Sequence, residues 1–180
     1  KSNFPHEFMC TTLNYSIDRT DRVILLKKEL ERLNINLSEP DINFSNAYFS
    51  IEKNLENKKS IRFALGAIKG VGIKSMQSLV LERKNAGEFL DIISFMQRLN
   101  SEVVNKRQLE KLIQAGCFDK IERNRAKLFN NVIKFIDFFD NDENEENQSL
   151  LFEDEKIQLN DSNLFEQDIE NWSTSELLKN

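Results

Sequence analysis

Apolar positions recur at helical intervals along most of the chain. Phe8, Met9, Leu13 and Ile17 form one stripe behind Pro5, which suits a first helical turn because its missing N–H is not needed there. Val23, Leu26, Leu30 and Leu33 form a second stripe, with Arg22, Lys27, Lys28, Glu29, Glu31 and Arg32 facing outward and Asp18 or Thr20 as the expected N-cap. Ser38-Glu39-Pro40-Asp41 then breaks the period, because proline disfavours helix in the residue before it. Tyr48-Phe49-Ser50-Ile51 and Ser60-Ile61-Arg62-Phe63-Ala64-Leu65, with the polar run Asn54 to Lys59 between them, predict a β-hairpin. The helical period resumes with Ile73, Met76, Leu79 and Val80, and Gly87 is its expected C-cap. Phe89, Ile92, Ile93, Phe95 and Met96 make the next apolar face. Asn105-Lys106-Arg107 opens a helix through Leu109, Leu112 and Ile113 that ends at Gly116. A last helix starts at Asn124, with Leu128, Phe129, Val132, Ile133, Phe135 and Ile136 apolar and Arg123, Arg125, Lys127 and Lys134 polar.

The stretch Ala67-Ile68-Lys69-Gly70-Val71-Gly72-Ile73-Lys74-Ser75 stands out from this packing pattern. Gly70 and Gly72 have no Cβ, so they admit positive φ and let an anion approach bare backbone. The helix behind them points its free N–H groups, and the positive end of its dipole, at such an anion. Lys69 and Lys74 add attraction, and Ser75 offers a hydroxyl as donor or cap. A dinucleotide fingerprint is excluded, since its third glycine would fall on Ser75. A P-loop is excluded too, since Ile73 separates Gly72 from Lys74. The remaining reading is a helix-hairpin-helix turn that grips phosphate, against the plainer one of a tight turn between packed elements. Lys106 and Arg107, at another helix start, are a second candidate phosphate contact. The expected fold is mainly α, with a short β-hairpin leading into a tandem helix-hairpin-helix bundle.

Charge sharpens this picture. Lys53 to Lys134 holds 17 Lys/Arg against 8 Asp/Glu, whereas Asp137 to Asn180 holds 2 against 14, within a chain of net charge -5. A basic middle and an acidic tail are the asymmetry of a segment that meets polyanion beside one that stays solvated. Asn141-Asp142-Glu143-Asn144-Glu145-Glu146-Asn147 buries too little apolar surface to order itself, which predicts a disordered linker. Inside it, Gln148-Ser149-Leu150-Leu151-Phe152 is an isolated apolar cluster and a candidate docking peptide. Cys10, Cys117 and the single His6 build neither zinc site nor disulfide framework, which fits a reducing cytoplasm. Apolar runs such as Val23 to Leu26 are too short to span a bilayer. Lys1 to Met9 enters a helix without an initiator methionine, as the interior of a longer polypeptide would.

Several separated motifs, taken in order, resemble the alpha subunit family of the bacterial replicative DNA polymerase III. They are Phe8-Met9, Arg19-Thr20-Asp21-Arg22, Pro40-Asp41-Ile42-Asn43, Leu65-Gly66-Ala67-Ile68-Lys69-Gly70-Val71-Gly72, Val104-Asn105-Lys106-Arg107, Ala115-Gly116-Cys117-Phe118-Asp119 and Asn124-Arg125-Ala126. The likeness runs from about Phe4 to Phe152. Ala64 stands where the family often has glycine, and Cys117 where alanine is common. The resemblance implies that residues 1–65 are the end of a fingers domain with the β-hairpin, 66–139 a tandem helix-hairpin-helix domain that binds template-primer duplex, and 140–180 an acidic linker. It further implies that Gln148, Leu150, Leu151 and Phe152 dock on the sliding clamp, and that the other polymerase domains and replisome subunits are partners.

In that family the catalytic aspartates lie in an upstream palm domain, and none of them is present here. The expectation is therefore a non-catalytic DNA-binding segment of a DNA-directed DNA polymerase, a nucleotidyltransferase, with no cofactor of its own although the parent enzyme is expected to use magnesium. Two other readings stay open. A helix-hairpin-helix repair enzyme of the glycosylase type would be catalytic, but Gly87-Glu88-Phe89-Leu90-Asp91 lacks the proline of that motif. An adaptor would recruit partners through its tail, its basic middle being incidental.

Overall fold

The computed structural model describes residues 3–53, 57–99, 103–132, 169–173 and 176 of the 180. Pro5 occupies the start of α1 (Pro5–Tyr15), as expected of a residue with no N–H to place. Its buried face is Met9, Cys10 and Leu13, with Ile17 just beyond. Phe8 departs from the expected stripe: it is 42% exposed, because it lies about 100° around the helix from Met9. Helix α2 (Thr20–Arg32) buries Val23, Leu26 and Leu30. Neither Asp18 nor Thr20 caps it. Arg19 is the N-cap, without a side-chain bond, and Thr20 already lies inside the helix. Leu33 is exposed at the C-cap, since Asn34 turns the chain at φ 54° and Ile35 fills the core position instead.

The expected hairpin is present as β2 (Ser50–Lys53) antiparallel to β3 (Lys59–Arg62), in register from Ser50 opposite Arg62 to Lys53 opposite Lys59. A third strand, β1 (Leu37–Ser38), pairs parallel with β3 on its other side, so the order is β1-β3-β2. On this sheet Glu52 accepts from Arg62 Nε and Nη2, at 2.8 Å each, and from the hydroxyls of Ser38 and Ser60. Burial pushes the Glu52 carboxyl up, but these donors outweigh it and leave its pKa lowered.

Beyond the sheet come a single 3-10 turn (Leu65–Ala67), α3 (Ile73–Ala86), α4 (Ile92–Arg98), α5 (Lys106–Gln114) and a final helical stretch, described over 125–132. The predicted helix-hairpin-helix pairs are recognisable, but the first pair enters on that 3-10 turn rather than on a full helix. Leu65 and Gly66 give their N–H groups to the carbonyls of Asn46 and Ala47, so the chain is pinned across the fold where a longer helix would have to run. Gly87 ends α3 at φ 86° and Gly116 follows α5 at φ 79°, as read from the sequence. Asn124 Oδ1 accepts from the Lys127 N–H at 2.9 Å and so opens the final helix.

Apolar side chains gather in two clusters. One joins α1, α2 and the sheet through Met9, Leu13, Leu30, Phe49 and Ile61. The other fills the space between α3, α4, α5 and the final helix, with Leu65, Met76, Leu79, Leu109, Leu112 and Leu128 around an edge-to-face run of Phe89, Phe95 and Phe118. Residues 41–47 bolt the first layer to the second. Ile42 N–H donates to the Cys117 carbonyl at 2.8 Å, and Arg83 Nη1 donates to the carbonyls of Ile42 and Ser45 at 2.6 and 2.9 Å. Burial lowers the Arg83 pKa, yet its guanidinium is held by these carbonyls. The packing fixes where the start of α3 meets the start of α5.

Candidate nucleic-acid interface

Ile68 and Val71 close a turn by a backbone bond of 3.0 Å, with Lys69 and Gly70 at its centre. Gly70 has φ 87°, the signature of the third residue of a type II turn and a conformation other residues adopt only under strain. Gly72 differs from expectation. As N-cap of α3 it has φ -80° and ψ 133°, which any residue adopts, so its lack of a side chain serves space rather than backbone freedom. A Cβ there would lie 3.2 Å from Gln108 Nε2 and 3.6 Å from Ser75 Oγ. Val71 turns its side chain into the core at 7% exposure, leaving only its backbone for any ligand. Ser75 does not cap α3; its Oγ accepts from Gln108 Nε2 at 3.1 Å.

Those distances bring the two candidate regions together. A Cβ on Gly70 would lie 3.7 Å from Lys111 Cγ and 4.0 Å from Arg107 Nε. The glycine turn before α3 and the basic start of α5, 35 or so residues apart in sequence, are therefore one surface. Lys69, Gly70, Gly72, Lys74, Lys106 and Arg107 are all exposed on it.

Two features of this surface invite anions. Helices α1 and α2 carry Glu7 and Asp21 in their first turns, the favourable sign at a positive helix end, while α3 and α5 carry no acid there. They carry Lys74, and Lys106 with Arg107, instead. In addition, the start of α3, like those of α1 and α2, has no side-chain cap, whereas Asp91 and Ser94 close a capping box on α4, and Asn105 and Gln108 close one on α5. Uncapped donors beside cations are a pattern that attracts anions.

The cations here are also unpaired among the described residues, as are Arg22, Lys27, Lys28 and Lys84 elsewhere. Elsewhere Arg62 pairs with Glu52, Arg98 with Glu82, Lys120 with Asp41, Arg125 with Asp119 and Lys127 with Glu122. Among the described residues, Lys69, Lys74, Lys106 and Arg107 form no ion pair. Neither glycine spacing nor position at a helix start points to Gln108 or Lys111 in the sequence. The Asn105-x-x-Gln108 pattern was the available signal for Gln108, since it is a capping-box spacing. Gln148, Leu150, Leu151 and Phe152 lie outside the described residues. Among the described residues, no three His, Cys, Asp or Glu side chains come together to hold a metal ion, and no helix is long and apolar enough to cross a membrane.

The family model of a helix-hairpin-helix motif matches residues 34–128, a span that takes in the sheet as well as α3 to α5. The chain is 36% identical over 128 residues to the DNA polymerase III subunit alpha of Caulobacter vibrioides, covering 71% of this chain and 11% of that protein. With the protein of the same name from Neisseria meningitidis serogroup B it shares 35% over 178 residues, covering 99% of this chain and 15% of the relative. With that of Haemophilus influenzae it shares 36% over 132 residues, 73% of this chain and 11% of the relative. The chain thus spans only 11 to 15% of the length of these relatives.

Proposed function

The chain, with its helix-hairpin-helix motif, belongs to the DNA polymerase III subunit alpha family, and we propose that it holds duplex DNA by its phosphates during replication, without reading base sequence. The observation that carries this reading is the pairing of two helix starts, free of acids, on one surface with four exposed cations that form no ion pair among the described residues. Lys69, Gly70, Gly72 and Lys74 form the first contact, Val71 contributing backbone only, and Lys106 and Arg107 form the second. Such contacts fix a protein on the duplex but carry no sequence information. Ser75 supports the first contact from behind.

On this reading residues 66–139 are the DNA-gripping unit, 1–65 the layer against which its turn is set, and 140–180 a linker. Gln148, Leu150, Leu151 and Phe152 are proposed to dock on the sliding clamp, supported by their sequence pattern and by family membership. Replacing Leu151 and Phe152 by alanine should abolish binding of a purified clamp while leaving duplex binding unchanged; equal clamp binding by both proteins would remove that part of the reading. Nucleotidyl transfer relies on metal-bound carboxylates. The part proposed for this segment within such an enzyme is duplex binding.

Fluorescence anisotropy of labelled duplexes tests the DNA reading. Two duplexes of unrelated sequence should bind with equal affinity, and the Lys69→Ala/Lys74→Ala variant should bind both about tenfold or more weakly at moderate salt. Equal affinity for wild type and variant would overturn it.

A further inference from the structure

We propose that Gln108 is a positioning residue that locks the two helix starts together, so that they meet neighbouring phosphates as one unit. This inference rests on the DNA-binding reading above. The Gln108 carboxamide has an acceptor and a donor end, and the structure uses them on different helices. Its Oε1 accepts from the Asn105 N–H at 3.2 Å, closing the cap of α5, while its Nε2 donates to Ser75 Oγ, in the first turn of α3, at 3.1 Å. Gly72 makes the approach possible, since a Cβ there would stand 3.2 Å from that same Nε2. One neutral side chain therefore ties the two first turns and leaves Lys69, Lys74, Lys106 and Arg107 free for a ligand.

The physical gain is registration. Phosphates on a duplex have fixed spacing, and two binding features that shift relative to each other lose conformational freedom on binding both. A preset pair avoids that loss, because the second contact forms at high effective concentration once the first is made. Gln108 would thus affect affinity without contributing charge.

The experiment is a mutant cycle on the full 180-residue chain, read as affinity for one short duplex across a salt series, with thermal unfolding recorded for each variant. Ser75→Ala and Gln108→Ala should each weaken binding about fivefold, the size of one neutral hydrogen bond, with unfolding temperatures close to wild type. The double variant should bind no more weakly than either single one. The slope of log affinity against log salt should match wild type throughout, since no phosphate contact is lost. Wild-type affinity in both single variants, additive losses in the double variant, or a flatter salt slope would each overturn the positioning role. If Lys69→Ala/Lys74→Ala also leaves affinity unchanged, the interface itself is misassigned; if that pair weakens binding while Gln108→Ala does not, only the positioning role is lost.

Discussion

Asn43 grips the backbone of Phe89 at both polar atoms: its Nδ2 donates to the Phe89 carbonyl at 2.8 Å and its Oδ1 accepts from the Phe89 N–H at 2.8 Å. Asn14 does the same to Phe49, at 2.9 and 2.8 Å. Each asparagine stands in for a strand neighbour, satisfying backbone groups that lie away from any sheet partner. The Asn43 clasp also sets the loop that enters α4, and with it the Phe89-Phe95-Phe118 run at the centre of the helical core.

Removing the Asn43 clasp should therefore destabilise the whole helical layer. Asn43→Ala should lower the unfolding free energy by about 1–3 kcal/mol, because it orphans a carbonyl and an N–H together. Asn43→Asp keeps the acceptor and loses the donor, so it should fall between. Urea unfolding with an unchanged m-value checks both; a shift smaller than that of a surface Asn→Ala control would show that the clasp contributes little.

The two glycines of the turn should behave differently. Gly70→Ala forces a side chain into φ 87° and should destabilise the fold by about 1–2 kcal/mol. Gly72→Ala keeps an ordinary backbone and should change stability by less than about 1 kcal/mol, its effect appearing in DNA affinity instead. Equal stability losses in thermal unfolding would contradict this division. Gly66→Ala should be worse than either, since its Cβ would stand 2.6 Å from the Ala47 carbonyl oxygen, a backbone atom that cannot move alone.

Much of this arrangement was legible in the chain. Met76, Leu79 and Val80, and Leu109, Leu112 and Ile113, announced their helices because a helix face repeats within a few residues. Gly87 and Gly116 announced helix ends because positive φ has few other tenants. What was not legible depends on distant partners. Strand β1 is two residues long and exists only because β3 lies beside it, so Leu37 and Ser38 carry no period to read. The different roles of Gly70 and Gly72 depend on Gln108, far along the chain. Phe8 and Leu33 fitted an apolar period but sit at the margin of a face that Cys10 and Ile35 complete.

Acid should weaken the sheet through Glu52. Its folded pKa is depressed below the ordinary value of 4.5, so its contribution is complete above that value and is lost as pH falls through the folded pKa. Wild type should lose stability more steeply than Glu52→Gln between about pH 5 and pH 3. Parallel acid titrations followed by circular dichroism check this, and parallel curves would contradict it.

Both thiols should be silent in the folded protein. Cys10 and Cys117 are buried, and burial pushes the pKa of each up, with Cys117 the more strongly affected. A chromogenic disulfide reagent should titrate neither at neutral pH in buffer and both in denaturant. Rapid reaction of Cys117 in buffer would show that the core around Phe118 opens.

The most direct measurement of the phosphate-gripping surface is the salt dependence of duplex affinity for wild type and for the Lys69→Ala/Lys74→Ala/Lys106→Ala/Arg107→Ala variant. Each lost phosphate contact should flatten the slope of log affinity against log salt by about 0.9, so the variant should be flatter by about two to four. Identical slopes would mean that the exposed cations at the two helix starts do not meet DNA.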